Sequence, residues 1–268
     1  MTRLTLLLLG TLLAVPTLAL ETERVSDREL EDVIKSLDKS TRDFARGLDR
    51  DVRTAIVRSP SGEIDMKRFL DDFEDNVERI DDRYRRDYAA SAEALAVLRQ
   101  GNDLKEFMAR HPGIKGEAEW QLLDADLARL ANAYTAQWPI DPASPEVRRI
   151  GDQEFYAALE SIERGVRDVR RSVEKSSPDM TESGQATAAE LVRECELAED
   201  LIKPLHSKLK DSEPALAEAR ILLDRAAVID SRIGQIPVDE RTREKWTATR
   251  NAFGKFAQGF GLVWPPVE

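Results

Sequence analysis

The chain has 268 residues, 40 of them lysine or arginine and 51 aspartate or glutamate, for a formal charge of −11 at pH 7. That negative surplus repels phosphate backbones and anionic headgroups, which argues against nucleic acid and bare membrane surfaces as partners. A single cysteine, Cys195, rules out an intrachain disulfide, and the length allows one large or two modest packed cores.

At the N-terminus, Met1-Thr2-Arg3 precedes an apolar run from Leu4 to Val15 that is broken only by Thr5, Gly10 and Thr11, and Pro16-Thr17-Leu18-Ala19 follows. A charged start, a short apolar middle and small residues at the end form the pattern of an export signal. The run is at the short edge for a span of ~20 apolar residues. Residues 1–19 are therefore expected to be a signal peptide cleaved after Ala19. Loss of Arg3 leaves 39 basic against 51 acidic residues, about −12, on a periplasmic or secreted protein with no stable membrane anchor.

Past the signal, apolar residues recur at helical spacing. Leu30, Ile34, Leu37, Thr41, Phe44, Leu48 and Val52 recur at steps of three or four, which predicts one amphipathic helix of about eight turns. Ser26 and Glu29 have the spacing of a capping box at its start, and Ser59-Pro60-Ser61-Gly62 is expected to end it. A second helix carries Phe69, Phe73, Val77, Ile80 and Tyr84. A third, with or without a break from the second, carries Leu95, Leu98, Leu104 and Met108 before His111-Pro112-Gly113. A fourth runs through Trp120, Leu123, Leu127, Leu130, Tyr134 and Trp138, with Pro139 as its stop.

Ile140 to Gly151, with Pro142 and Pro145, reads as a linker, and beyond it the pattern restarts. Phe155, Leu159, Ile162, Val166, Val169 and Val173 form one stripe; a polar loop from Ser176 to Gly184 follows; Leu191, Cys195, Ala198, Ile202 and Leu205 form the next stripe. Helices near Pro214–Ile233 and Val238–Phe260 complete the set.

The halves share more than helicity. Asp27, Glu29, Leu37, Arg42, Asp43 and Phe44 align with Asp152, Glu154, Ile162, Arg167, Asp168 and Val169 at a constant offset of 125. At an offset of 126, Trp120, Tyr134, Trp138 and Pro139 align with Trp246, Phe260, Trp264 and Pro265, which pairs all four tryptophans. The second helices align only at 122. The expected architecture is all-α: an internal duplication of about eight helices, unit 1 at residues 20–139, a linker at 140–151 and unit 2 at residues 152–268.

Two constellations stand out. Trp120 and Trp138, like Trp246 and Trp264, are 18 residues apart, five turns of one continuous helix and ~27 Å of its axis. With Tyr134 and Phe260 they could line an aromatic groove for a ligand or partner, or anchor the two ends of a bundle core, and shared stripes with leucine favour the core. Arg42-Asp43 and Arg167-Asp168 are repeated charged pairs for which a structural role is expected, since neighbours on a helix do not face each other. The acidic row Asp71, Asp75, Glu78 and Asp82 is expected to be a solvated face neutralised in part by Arg79 and Arg86.

Cofactor signatures are lacking. One cysteine cannot attach haem, no Glu-x-x-His pair offers a di-metal site, and neither His111 nor His206 has a ligand's surroundings, so no metal and no cofactor is expected. Cys195 belongs to an apolar stripe, and Gly-x-Ser-x-Gly and phosphate-loop motifs are absent. These residues point to a non-enzymatic binding or scaffold protein of the cell envelope that meets a protein or small ligand. The alternative is a hydrolase or lyase using carboxylates in the groove between the units, to be told apart by carboxylates of shifted pKa inside a concave site.

Overall fold

A computed structural model describes residues 24–265, apart from 60, 61, 86, 87, 142, 144–146 and 212. The expected signal peptide lies outside the described residues, as do Arg86, Pro142 and Pro145 of the sequence argument. The protein is all-α. Among the described residues no helix is long and apolar enough to cross a membrane.

The first half contains α1 (Asp27–Gly47), the single turn α2 (Arg50–Arg53), a hairpin of β1 (Ile56–Ser59) and β2 (Gly62–Asp65), then α3 (Met66–Arg83), α4 (Ser91–Arg110) and α5 (Glu117–Ala133). The second half contains α6 (Asp152–Ser176), a 3₁₀ turn at Ser177–Asp179, α7 (Glu182–Lys210), α8 (Leu216–Ile233) and α9 (Glu240–Gly259). Each half has four long helices packed in the same order. The first rests on the fourth and on the second, the second on the third, and the third on the fourth. Buried apolar side chains form two clusters, one from Leu30 to Val147 and the other from Ile150 to Phe260.

The local reasons are those of amphipathic helices. Ser26 caps α1 by accepting the Glu29 N–H at 3.3 Å, while the Glu29 carboxylate accepts the Ser26 N–H at 2.7 Å. Leu30, Ile34, Leu37 and Phe44 are buried on its inner face. Asp65 caps α3 through the Arg68 N–H, Thr181 caps α7 through Gly184, and Asp239 caps α9 through Thr242.

Three expectations need correction. The first helix does not run eight turns: it ends at Gly47, a poor helix former, and the chain turns through α2 into an antiparallel hairpin that pairs Val57 with Ile64 and Ile56 with Asp65. Leu48 is still buried and Val52 half-buried, so the stripe marked contact with the core beyond the end of the helix. The polar loop from Ser176 to Gly184 is mostly helical, since Thr181 starts α7. Finally, α5 and α9 stop at Ala133 and Gly259, so Trp138 and Trp264 lie beyond the helices rather than five turns along them.

The ends of α5 and α9 are built alike. Thr135 (φ 53°) and Gly261 (φ 65°) both take the left-handed conformation. Their N–H groups donate to Asn132 and Gln258, and those of Ala136 and Leu262 to Ala131 and Ala257. These are the two bonds of a Schellman stop, which satisfy carbonyls that a helix end leaves free. Glycine takes that backbone without cost; Thr135 is held in it by its hydroxyl, which donates to the Arg148 carbonyl at 3.0 Å.

Candidate functional site

The six aromatic residues singled out by the sequence do not come together in one open groove. Trp120 packs on Phe44 with ring centres 5.7 Å apart, and Tyr134 is buried with its hydroxyl donating to the Ala89 carbonyl at 2.6 Å. Trp246 lies near Phe253 and donates from Nε1 to Asp230 at 2.6 Å, while Phe260 meets Phe155 and Phe256 edge to face. Trp138 and Trp264 fold back over their own halves and are partly buried. A Cβ at Gly101 would come within 2.8 Å of the Trp138 ring, so the glycine in mid-α4 makes room for that indole. Trp120, Tyr134, Trp246 and Phe260 belong to the two cores, and Trp138 and Trp264 pack against them.

The repeated charges sit apart from each other. Arg42 reaches Asp38 at 2.7 Å and Arg167 reaches Glu163 at 2.5 Å, the same i,i+4 pair in both halves. Asp168 meets Lys245 at 2.6 Å, whereas the residue aligned with Lys245 is Glu119, which cannot pair with Asp43. Asp71, Asp75, Glu78 and Asp82 are exposed. Lys67 bridges Asp71 at 2.6 Å, and Arg79 turns to Asn76 instead of Asp75. Cys195 is buried, and burial together with nearby Glu199 pushes its thiol up to about 12. Among the described residues no group of histidine, cysteine and carboxylate side chains could hold a metal ion.

Where a groove between the halves was expected, the structure has a closed junction. Asp27 and Asp152 are the first residues of α1 and α6, and these helix starts meet. The Asp27 N–H donates to the Asp152 carboxylate at 3.1 Å, and the Asp152 N–H to the Asp27 carboxylate at 2.9 Å. Each aspartate thus supplies an acceptor and a negative charge to the other helix's N-terminus. Arg24 pairs with Asp152 at 2.5 Å, and Arg149 with Asp27 at 2.8 Å and with the Ala133 carbonyl at 2.9 Å. Arg24 also stacks over Phe155, 4.2 Å from the ring centre. The Arg149 and Asp27 side chains are each only 3% exposed. What remains open is a cavity of about 10 Å³ lined by Arg24, Asn132, Arg149 and Phe260, too small for an organic substrate. Sequence reasoning missed Arg24 and Arg149, although they too are 125 residues apart.

The hollows with room for a ligand lie elsewhere. One is a cleft of about 50 Å³ between the hairpin and helices α3 and α4, walled by Val57, Ile64, Met66, Phe69, Leu104 and Phe107, with Asp103, Glu106 and Arg110 at its rim. Glu106 is paired with Arg110. Asp103 has no such partner among the described residues, keeps one side open to solvent, and has its pKa raised by the apolar walls and then by Glu106. Ile56, on the hairpin strand that helps form the cleft, is 64% exposed. Among the described residues no hairpin interrupts the second half, where α6 runs straight to Ser176. No protein-family model, curated protein or solved structure matches this chain.

Proposed function

We propose that this protein is a non-enzymatic binding module, exported to the periplasm or beyond, whose cleft beneath the hairpin receives an apolar side chain from a basic segment of a partner protein. The observation that carries this is the cleft itself. Its volume suits a short aliphatic group rather than a long chain or a sugar ring, its walls are apolar, and its rim carries Asp103, a carboxylate in no ion pair among the described residues, on a chain of charge −11. A lysine or arginine beside the inserted side chain would meet Asp103 and relieve the cost of holding that charge against apolar walls. The closed junction leaves the cleft as the place where the first half differs most from the second, and surface built in one half only is where a specific partner would be read.

The test is titration with two dodecapeptides, one alternating leucine and lysine, the other leucine and glutamate. Only the lysine peptide should bind, and Phe107→Asp should abolish binding while leaving the helical circular dichroism intact. Equal binding of both peptides, or binding indifferent to Phe107→Asp, would overturn the assignment. A second reading rests on the raised Asp103 with Glu106 three residues on: a carboxylate hydrolase or lyase working in this cleft rather than between the halves. Turnover lost in Asp103→Asn would favour it.

We also propose that the two halves arose by duplication of one four-helix unit. The common packing order, the paired Schellman stops and the reciprocal aspartates support this origin.

A further inference from the structure

The same irregular stretch that breaks the first helix creates a second hollow, on the face formed by the end of α1, by α2 and by the start of α3. It encloses about 350 Å³ and is lined by Arg46, Arg50, Arg53, Thr54 and Lys67, with Asp71 and Glu74 on one side. Lys67 is bridged to Asp71. Arg46, Arg50 and Arg53 lie within ion-pair distance of no carboxylate among the described residues, although acidic side chains outnumber basic ones. Arg50 and Arg53 stand three apart on one face of α2, so their forks are neighbours, and like charges so placed repel unless something neutralises them. Arg46 adds a third guanidinium from the last turn of α1. Glu74 does not complete the set: burial, then Asp71, raises its pKa, against the pull of Arg42 and Arg46.

We propose that this hollow binds a small phosphate ester. Three guanidinium forks offer more N–H donors than the two oxygens of a carboxylate can accept, whereas the three terminal oxygens of a phosphate monoester can take several bidentate contacts. The Lys67 ammonium, with N–H groups left beyond its bridge to Asp71, adds a donor at the rim. The volume exceeds that of a phosphate group alone, so the ester's body has room beside Ala45 and Leu70. The site belongs to the first half only. Residues matching Arg50 and Arg53 at the offset of 125 are Lys175 and Pro178, where α6 gives way to the 3₁₀ turn. It is separate from the hairpin cleft and shares no lining residue with it.

Calorimetric titration of the purified protein at low salt with inorganic pyrophosphate, citrate and sulfate decides the matter. One saturable pyrophosphate site is expected, weakened about tenfold or more in Arg50→Gln/Arg53→Gln, because two bidentate contacts are lost. Arg50→Lys/Arg53→Lys should weaken it as well, since charge remains but the fork does not. The control Lys255→Gln, which opens a pair with Glu154 on the second half, should bind as the parent does. All substituted residues are exposed, and unchanged circular dichroism will show that the variants fold. The proposal is overturned by absence of a saturable pyrophosphate site, by affinity that survives the glutamine pair, or by citrate or sulfate binding as tightly as pyrophosphate.

Discussion

The two halves present one apolar design with two polar solutions. In the first half, Lys105 of α4 bridges Asp124 of α5 at 2.7 Å; in the second, Asp230 of α8 bridges Arg250 of α9 at 3.2 Å. Lys105 aligns with Asp230 at the offset of 125, and Asp124 with Arg250 at 126, so the same bridge appears with its charges exchanged. The indole partner changes with it. Asp124 accepts the Trp138 N–H at 2.9 Å, whereas Asp230 accepts that of Trp246, and Trp264, with Arg250 at the position aligned with Asp124, has a buried Nε1 with no partner among the described residues. A close-packed interior constrains volumes at each position, but an ion pair needs only complementary ends and can swap its polarity without disturbing the helices.

The starts of the halves differ in a similar way. Glu29 closes a capping box on Ser26; in the second half Gly151 stands in place of Ser26, and Glu154, freed from capping, pairs with Lys255 at 2.6 Å. Packing compensates too. A Cβ on Gly259 would fall 2.5 Å from the Phe155 ring, while the aligned residues of the first half are the larger Ala133 and the smaller Leu30.

The sharpest way to break this comparison is at the junction. Asp27→Ala strands the Arg149 guanidinium where it is almost fully buried, and should cost ~3 to 5 kcal/mol in urea unfolding. Asp152→Ala strands Arg24, itself only 6% exposed, but should cost less because Arg24 keeps its stack on Phe155 and water can enter the place of the 30% exposed carboxylate. Equal losses would show the two arms to be energetically equivalent despite their unequal burial.

Next come the anchoring indoles. Trp120→Ala and Trp246→Ala should each cost ~3 to 5 kcal/mol. Trp246 should fall at the upper end, because its loss also leaves Asp230 one donor short, a further ~1 kcal/mol. Thermal or denaturant unfolding of both variants measures the gap.

The smallest effect concerns Cys195, which aligns with buried Phe73 at the offset of 122. With the folded thiol raised to about 12 and an unfolded value near ~8.5, the protonated form is favoured by folding. Its contribution is therefore complete below the unfolded value and lost as pH rises from there towards the folded one. Iodoacetamide at mildly alkaline pH should leave the native thiol unmodified and label it once the chain unfolds, and Cys195→Ala should flatten the alkaline loss of stability.

Helices and core were largely legible because a 3.6-residue period records burial directly: Leu30, Ile34, Leu37, Val77, Leu127 and Val166 all lie where their spacing put them. The hairpin was not legible, since Ile56–Ser59 and Gly62–Asp65 are too short to show alternation and the apolar step from Leu48 to Val52 continued the helical rhythm. The stop at Ala133 was hidden for a related reason. Trp138 keeps the helical spacing in sequence but returns to the core from a loop. The basic hollow left no periodic trace, because Arg46, Arg50 and Arg53 converge only after the chain turns at Leu48 and Asp49. Nor could the sequence reveal that Arg24 and Arg149 cross over, each to the aspartate of the opposite half.

That crossing gives the junction the symmetry of a handshake. Arg24 and Asp27 of the first half meet Asp152 and Arg149 of the second, each cation gripping the other side's anion, as in a two-fold dimer interface where a single patch serves as both key and lock. Tethering the patches through residues 134–148 turns an association that would depend on protein concentration into one that does not. Dilution, which separates a dimer, leaves this clasp shut.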